Sequence, residues 1–301
     1  MTKRCGYVAV VGRPNVGKST LVNEIFGKKC AITSKRAQTT RYAATFVYTD
    51  REREAQFLLV DTPGLLLSDY DKHFTQRMYQ EAMSAISHLD IRWWLLEAPK
   101  LSERDKALAQ IMQPQADKTI IVWNKSDTVK SKTQLLPAIA ELQAMGFHKQ
   151  VPCCAHKRET LEPLLSESVP FLPENDYFYP VEQTHTCSRS FMIEEIIREK
   201  IMRYIGQEVP YFCYPVCESF IERSPELVVC SVRIDIPSER YRPILLGAGG
   251  QQIKKIGQAA RRSLEGLLKK KVYLKLWIKC DTSQNMGILE QKRSTSLGWD
   301  S

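Results

Sequence analysis

The chain has 301 residues, of which 43% are hydrophobic and 26% charged, and its formal net charge at pH 7 is +9. This length allows two domains with substantial cores, and the composition is ordinary for a globular protein. No apolar run reaches the about 20 residues that a membrane-spanning helix needs. The apolar run near the N-terminus is too short for a signal peptide. We therefore exclude a membrane-spanning or secreted protein and expect a cytoplasmic one.

The nine cysteines are scattered, with no CxxC pair and no spacing typical of zinc ligands. Their number is odd, and a bridge between the adjacent Cys153 and Cys154 would be strained. We expect free, mostly buried thiols, as in proteins of a reducing compartment.

Strand-like and helix-like stretches alternate through residues 1–170. Apolar or alternating runs predict strands, and stretches with helical spacing predict helices. The alternation predicts an α/β fold, a mixed and mostly parallel sheet with helices on both faces. The predicted strands are 6–12, 41–49, 55–64 with its final turn, 90–98, 118–127 with its final loop, and 150–156; the predicted helices are 19–27, 73–88, 102–112, 132–146 and one from about Arg158.

The pattern changes at residues 169–190, where three prolines and weak periodicity are typical of an inter-domain linker. The order beyond it is α-β-β-α-α-β, which predicts a second, smaller α+β domain. Its predicted elements are helix 191–205, strands 212–222 and 227–236, helices around 245–257, and strand 271–279. We thus predict a first domain at 1–170, a linker at 171–189, a second domain at 190–281 and a polar tail at 282–301.

The sequence "GRPNVGKS", Gly12 to Ser19, matches the phosphate-binding pattern G-x-x-x-x-G-K-[ST] in full. It follows an apolar strand and begins an amphipathic helix, as this motif requires. The glycines let backbone N–H groups surround phosphate oxygens, Lys18 reaches the β- and γ-phosphates, and the Ser19 hydroxyl ligates Mg²⁺. The nucleotide contacts predicted here are Gly12, Arg13, Pro14, Asn15, Val16, Gly17, Lys18, Ser19 and Thr20.

Two further motifs follow buried strands in the expected order. In "DTPG", Asp61 can hold Mg²⁺ through a water molecule, and the Gly64 N–H can sense the γ-phosphate. In "NKSD", Asp127 can accept both guanine N1–H and N2–H₂, a pair that adenine lacks, while Asn124 braces the base and the phosphate loop. We therefore expect GTP or GDP and not ATP. The predicted contacts are Asp61, Thr62, Pro63, Gly64, Leu65, Asn124, Lys125 and Asp127.

The segment "AQTTR" (37–41) lies between the phosphate-loop helix and the next strand. A threonine there can ligate Mg²⁺ only while the γ-phosphate is present, so that the loop orders and melts with hydrolysis. Spacing alone does not separate Thr39 from Thr40.

Leu65 stands where many signalling GTPases carry a glutamine that orients the attacking water. Leucine cannot do this, so hydrolysis is expected to be slow without a partner or to use another group. Asn15 gives one hypothesis, in which its side chain helps to hold a potassium ion beside the phosphates.

A second glycine loop, "GAGG" at residues 247–250, precedes a basic helix. Nine basic residues and one acidic residue, Glu265, lie between Lys254 and Lys279. The loop lacks the full G-x-G-x-x-G dinucleotide pattern, and alone it would favour a simple helix–helix turn. Within the order α-β-β-α-α-β, it favours a backbone clamp for about four nucleotides of single-stranded RNA.

Taken together, "GRPNVGKST", "AQTTR", "DTPG" and "NKSD" resemble the Era-type translation-factor-related GTPases. Residues 191–211, "KKVYLKLWIK" (270–279) and "SLGW" (296–299) are similar to the same family, so the resemblance covers nearly the whole chain. It implies a P-loop GTPase domain followed by a type II KH domain. It also implies GTP or GDP with Mg²⁺, binding of small-subunit ribosomal RNA near its 3′ end, help in small-subunit maturation and loose association with the inner membrane face. We expect a monomer.

The resemblance also assigns residues. It selects Thr40 over Thr39, and it places Cys154 and Ala155 in the base-sensing loop, with the Ala155 N–H on guanine O6. The predicted catalytic residues are Lys18, Thr40 and Gly64; the Mg²⁺ ligands are Ser19, Thr40 and Asp61; the RNA contacts are Gly247, Ala248, Gly249, Gly250, Lys254 and Lys255.

The sequence departs from the family at four places. Cys154 replaces a serine, Ala248 removes a basic residue from the glycine loop, and Pro243 stands in place of a glycine. The strand "DIRWWLLEA" carries Trp93 and Trp94 where small β-branched residues are usual, which predicts a repacked core.

Two other functions remain open from the sequence. The basic block could meet anionic lipid in a membrane-surface signalling GTPase. Alternatively, Leu65 is compatible with a nucleotide-dependent scaffold that hydrolyses little GTP.

Overall fold

The computed structural model describes residues 2–13, 15–27, 44–61, 89–129, 131–186, 188–206 and 209–281. These residues form two compact units, with the division falling between Thr186 and Cys187. The predicted helix at 73–88, the "AQTTR" segment and the tail at 282–301 lie outside the described residues. Each unit has its own sheet and its own core.

The first unit is built on a sheet of order β2-β3-β1-β4-β5-β6. β2 runs antiparallel to β3, and the other neighbouring pairs are parallel, so the sheet is mixed and mostly parallel. The elements are β1 (Arg4–Val11), α1 (Lys18–Phe26), β2 (Ala44–Asp50), β3 (Ala55–Asp61), β4 (Ile91–Glu97), α2 (Glu103–Met112), β5 (Thr119–Asn124), α3 (Leu136–Ala144), β6 (Lys149–Pro152) and α4 (Glu162–Ser168).

The central strands are buried along almost their whole length. β5 is buried at every residue, and β4 at every residue except the last, Glu97. Strands with both faces covered read as continuous apolar runs because helices lie on each side of the sheet. The carboxyl ends of β1, β3, β5 and β6 meet at one edge, which is where ligands bind in open α/β sheets.

The two tryptophans of β4 pack on opposite faces of the sheet. Trp93 contacts Phe57 at 6.2 Å between ring centroids, and its Nε1–H donates to Ser168 Oγ at 2.8 Å. Trp94 meets Phe147 edge-on at 5.4 Å. The predicted repacking thus has a physical form, in which each large ring has an aromatic neighbour.

The segment after α4 runs along the first unit. The Cys5 N–H donates to Pro173 O at 3.1 Å, and the Gln56 amide makes two hydrogen bonds with the Tyr179 backbone. The Val47 N–H donates to Thr184 O at 3.1 Å. Much of the segment predicted as a linker is therefore bound to the sheet of the first unit.

The second unit follows the predicted order α-β-β-α-α-β. Its sheet has the order β7-β8-β9, with β7 antiparallel and β9 parallel to β8. Its core joins one face of this sheet to apolar residues of the first and last helices, such as Ile197 and Ile256. The elements are α5 (Arg189–Tyr204), β7 (Tyr214–Ser224), β8 (Leu227–Ile236), α6 (Arg242–Leu246), α7 (Gln251–Leu268) and β9 (Lys271–Cys280).

Neither unit offers a membrane span or a metal cluster in its described part. None of the described helices combines the length and the apolar character that crossing a bilayer requires. Within the same residues, no group of three or more His, Cys, Asp or Glu side chains is placed to hold a metal.

Candidate functional site

The phosphate loop between β1 and α1 has a backbone that requires glycine at two positions. Gly12 and Gly17 have φ of 144° and 106°, which L side chains rarely adopt. A Cβ on Gly17 would lie 2.2 Å from Asn124 Nδ2, and one on Gly12 would lie 2.6 Å from Leu95 O. Asn15 also has a positive φ of 65°. The loop is therefore a tight cradle, with the shape that bound phosphate oxygens need.

Lys18 lies folded over this cradle. It is the first residue of α1 and is 8% exposed, and its Nζ donates to Gly12 O at 2.8 Å and to Arg13 O at 3.0 Å. The N-terminus of α1 points its N–H groups into the same space, which favours an anion there. Ser19 and Thr20 follow in the first turn of the helix. A positive group and a helix N-terminus thus converge where the phosphates are expected.

The cradle is anchored to a neighbouring helix by an ion pair that the sequence motifs did not reveal. Arg13 Nε donates to Asp105 Oδ1 at 2.7 Å, and the Asp105 side chain is 1% exposed. Asp105 also accepts hydrogen bonds from Ser102 and forms a capping box with it at the start of α2. The S-x-x-D pattern at 102–105 signals this cap, but it does not indicate that the carboxylate faces Arg13.

Asn124, the last residue of β5, joins the phosphate loop to the base-sensing loop. Its Nδ2 donates to Val16 O at 2.7 Å, and its Oδ1 accepts from the Ala155 N–H at 2.9 Å. Asn124 is 2% exposed, so both bonds are shielded from water. The structure therefore brings together three motifs that lie far apart in the sequence.

The other residues predicted to contact the base lie in the same loops as Asn124 and Ala155. Lys125 has a φ of 58°, and its Nζ pairs with Glu97 Oε1 at 2.9 Å. Burial is the main cause of the raised pKa of the Cys154 thiol, and the nearby Asp127 carboxylate raises this pKa further. Burial also raises the pKa of Cys153 to about 12. Both thiols are therefore neutral at pH 7, and no thiolate opposes a nucleotide.

The remaining residues predicted for the nucleotide are only partly placed. Asp61 ends β3, where it pairs in register with Val10 of β1 beside the phosphate loop. Pro14, Thr40, Thr62, Pro63, Gly64 and Leu65 lie outside the described residues. Their roles remain predictions, as do those of Ser19 and Asp61 toward Mg²⁺.

The glycine loop of the second unit connects α6 to α7. Gly247, Gly249 and Gly250 have φ of 69°, 58° and 76°. A Cβ on Gly247 would lie 2.7 Å from Gln252 Cβ, whereas Cβ atoms on Gly249 and Gly250 would meet nothing within 4 Å. Two glycines and Ala248 therefore form an open backbone surface next to the N-terminus of α7.

The first turns of α7 hold the two predicted lysines. Lys254 and Lys255 are both exposed, and Lys255 Nζ lies 5.0 Å from the centroid of the Tyr204 ring. The next exposed turn carries Arg261 and Arg262, while Ile256 and its neighbours along the helix are buried. α7 thus presents a basic face to solvent behind the open glycine loop.

Comparison with known proteins places both units. The family model for the 50S ribosome-binding GTPase matches residues 7–125, and that for the KH domain matches residues 221–285. The chain is 38% identical to GTPase Era of Pseudomonas putida over 92% of this chain and 91% of that protein. It is 39% identical to GTPase Era of Bordetella avium over 92% of each.

Solved structures agree with the sequence relatives. An Aquifex aeolicus Era variant bound to GDP and aluminium fluoride is 30% identical, covers 98% of each chain and gives a TM-score of 0.84. An Era structure in complex with MgGDPNP and nucleotides 1506–1542 of 16S ribosomal RNA has the same identity, coverage and TM-score.

A guanine-specific loop at the carboxyl edge of a P-loop sheet, followed by a KH unit, defines a class of GTPases with an attached nucleic-acid-binding domain. Identity above 30% across nine-tenths of the chain makes the assignment more specific. The chain belongs to the Era family of GTPases. The fold class and the family predicted from the sequence are both confirmed.

Proposed function

We propose that this protein binds and hydrolyses GTP in its first unit, binds small-subunit ribosomal RNA near its 3′ end through its second unit, and assists assembly of the small ribosomal subunit. One observation carries the proposal: the chain has two glycine loops of different form, a closed cradle held by Asn124 and an open loop before a basic helix. Relatives supply the ligands, because a solved Era structure contains both a guanine nucleotide with Mg²⁺ and 16S ribosomal RNA.

The residues present fit a guanine nucleotide. Gly12 and Gly17 let the loop backbone pack against Leu95 O and Asn124, where a Cβ would collide, and Lys18 folds back over the loop to donate to Gly12 O. Asn124 holds the base-sensing loop through the Ala155 N–H. We expect Asp127 to accept from guanine N1–H and N2–H₂. Mg²⁺ would be held by Ser19, Thr40 and Asp61, where it neutralises developing phosphate charge.

Hydrolysis needs a replacement for the missing glutamine. Asn15 is an exposed residue of the phosphate loop, and this position supports its proposed role beside a potassium ion. GTPase rates in matched K⁺ and Na⁺ buffers test this role. Equal rates would exclude it, and no turnover in either buffer would favour a scaffold that hydrolyses little GTP.

RNA binding is assigned to Gly247, Ala248, Gly249 and Gly250 with Lys254 and Lys255. Because Ala248 carries no charge, backbone amides and the helix N-terminus hold the RNA phosphates, with the lysines behind them. The exposed basic face of α7 supplies the long-range attraction that nucleic acid needs.

Crosslinking the full-length protein to total RNA in the presence of GTP or GDP tests the whole proposal. Enrichment near the 3′ end of small-subunit ribosomal RNA, with a difference between the two nucleotides, is the expected result. Crosslinks spread evenly over all RNA and unaffected by nucleotide would overturn it.

The same basic face supports a second location, peripheral to the inner membrane face, for a protein that otherwise works in the cytoplasm. Binding to liposomes of anionic lipid, measured with and without competing RNA, separates the two uses. If RNA displaces the protein from lipid, the surfaces overlap; if lipid binding persists and RNA binding is absent, the membrane-surface GTPase becomes the better description.

A further inference from the structure

The strand β9 carries an alternating column of basic and aromatic side chains. Lys271, Tyr273, Lys275, Trp277 and Lys279 occupy every second position and therefore point to one face of the sheet. All five are exposed, whereas Val272 between them is 4% exposed and packs in the core. We call these five residues the β9 column. Within the described chain, no hydrogen bond or ion pair engages any of its three lysine side chains.

This outer face of the sheet continues across β8 and β7. Register places Val229 beside Tyr273, and Ile221 beside Val229. Ile221 and Tyr273 are 45% and 56% exposed. The sheet of the second unit therefore carries four large apolar side chains that are exposed in the described chain: Ile221, Leu227, Tyr273 and Trp277.

The helices of the second unit cover the opposite face. Core contacts join α5 and α7 to inward residues of the strands, such as Cys230 and Val232. Within the second unit, no described helix packs on the outer face, and the rings of Tyr273 and Trp277 are exposed. A contiguous exposed patch of this kind marks a binding surface.

Charge selects the kind of partner. Three acidic residues of strands β7 and β8 are already paired, since Glu218 and Asp235 both bind Arg233, and Glu222 binds Lys270. The column itself has three positive side chains and no acidic one. Its complement is a polyanion that also presents flat apolar surfaces.

We propose that the β9 column is a stacking platform for single-stranded RNA, in which Tyr273 and Trp277 each stack a base and Lys275 meets the phosphate between them. The two ring-bearing residues are four positions apart along the strand, which is about 13 Å at a rise of ~3.3 Å per residue. Neighbouring bases of a stacked strand lie only ~3.4 Å apart. The platform therefore suits an extended strand, and aromatic side chains on sheets bind single-stranded RNA in this way.

The platform lies close to the proposed RNA clamp. Arg242, the first residue of α6, donates to Ile278 O of β9 at 3.0 Å. α6 leads directly into Gly247, so the Trp277 end of the column lies beside the helix that ends at the glycine loop. An RNA strand held at the glycine loop can thus continue onto the column, which lengthens its contact beyond four nucleotides.

Another role of lysines on an edge strand is to discourage pairing with other strands. That role does not require two exposed aromatic rings on the same face. An anionic membrane would attract the lysines but would not need them alternating with rings at a strand's period. The alternation of rings and lysines therefore favours RNA binding over edge-strand protection and over membrane binding.

The test uses the full-length protein and two labelled probes: a twelve-nucleotide RNA from the single-stranded 3′ end of small-subunit ribosomal RNA, and the tetranucleotide within it that binds best. Tyr273→Ala with Trp277→Ala should weaken binding of the longer RNA at least tenfold, since each stacked base contributes ~1–3 kcal/mol. Binding of the tetranucleotide should not change. Tyr273→Phe and Trp277→Phe should stay within about threefold of the parent protein, because stacking needs only a ring.

Two further measurements identify the mode of binding. Lys275→Ala should lower the slope of log K against log salt by ~0.7, the value for one phosphate contact on a single strand, whereas Tyr273→Ala should leave the slope unchanged. The long RNA should quench tryptophan fluorescence in the parent protein and not in Trp277→Phe. Leu136→Ala removes a 57% exposed side chain from the first unit and is the matched control. It should change neither the RNA affinity, nor its salt dependence, nor the fluorescence quenching.

The inference depends on the proposed RNA binding, and the two can fail separately. If neither RNA binds the parent protein, the proposed function fails and the platform falls with it. If both RNAs bind and the ring-removing variant behaves like Leu136→Ala, only the platform is wrong. If that variant loses binding to anionic liposomes but keeps the RNA, the face is a lipid surface and the proposal is overturned.

Discussion

The two glycine loops of this protein use the same backbone device in opposite surroundings. At Gly17 a Cβ would collide with Asn124, and Arg13 in the same loop is tied to a buried carboxylate. At Gly250 a Cβ would meet empty space, and the residues behind it are exposed lysines. Both loops place N–H groups at a helix N-terminus, which favours phosphate in each.

These surroundings determine what size of ligand each loop can take. A closed cradle fixes every backbone group around one small, highly charged ligand, so that any added atom disturbs it. An open loop lets a polymer enter and leave along its length, and it relies on nearby charges for affinity. Four changes test this comparison.

The largest effect is expected for Gly17→Ala. The new Cβ needs the space of Asn124 Nδ2, and φ at 106° strains any L residue. We expect GTP affinity to fall about 100-fold or more, equivalent to ~2.7 kcal/mol, as measured by calorimetry. RNA affinity should be unchanged. Gly27→Ala, at a positive φ of 60° but with nothing within 4 Å, is the control for backbone strain; equal losses in both variants would mean that the cradle is not closed.

Much of this structure could be predicted from the sequence, and the reason lies in the kind of signal. Strand β8 was predicted at the bounds that it has, because its apolar alternation is unbroken. The loop motifs were predicted because phosphate and guanine impose residue types at fixed spacing. Such signals are local.

The features that the sequence did not show depend on contacts between distant residues. Nothing near Trp93 in the sequence indicates that Ser168 accepts its N–H bond, and nothing near Arg13 points to Asp105. The proline-rich stretch around Tyr179 indicates a linker, but Gln56 binds it to the sheet. Packing partners far apart in the chain become visible only in three dimensions.

The second largest effect is expected for Asn124→Ala. This change leaves Val16 O and the Ala155 N–H without their buried partner, and each such group costs about 1–3 kcal/mol. GDP affinity should fall about 10- to 100-fold, and preference for guanine over adenine nucleotides should shrink. Competition binding with GDP and ADP measures both. The exposed Ser131→Ala is the control, and unchanged affinity in Asn124→Ala would separate the base loop from the phosphate loop.

A smaller effect is expected for Gly250→Asp. Its side chain has room, so the change adds a negative charge beside the RNA phosphates and little steric conflict. RNA affinity should fall about tenfold, or ~1.4 kcal/mol, relative to Gly250→Ala, which has the same positive φ and no charge, because the added carboxylate repels the RNA phosphates. GTP affinity should stay constant in both variants. Loss of GTP binding would mean that the open loop is part of the nucleotide site.

The smallest effect is expected for Arg13→Ala. Arg13 contributes its backbone carbonyl to the cradle, and the substitution keeps that carbonyl. Its carbonyl accepts from Lys18 Nζ at 3.0 Å, and its side chain fixes that carbonyl by binding Asp105. Loss of the side chain should raise KM for GTP several-fold with a smaller change in kcat, since the ground-state position of the loop is what changes.

Asp105→Asn should give a similar KM, because the neutral amide binds the guanidinium more weakly. The double variant should raise KM for GTP no further than either single change, as expected for partners in one contact. Additive increases in KM would show that Arg13 acts on the nucleotide directly. The hydrogen bond from Asn124 would then be what holds the cradle in position. The glycine loop of the second unit provides the contrast, because Lys254 and Lys255 in the first turns of the helix that follows it are exposed and form no ion pair in the described chain.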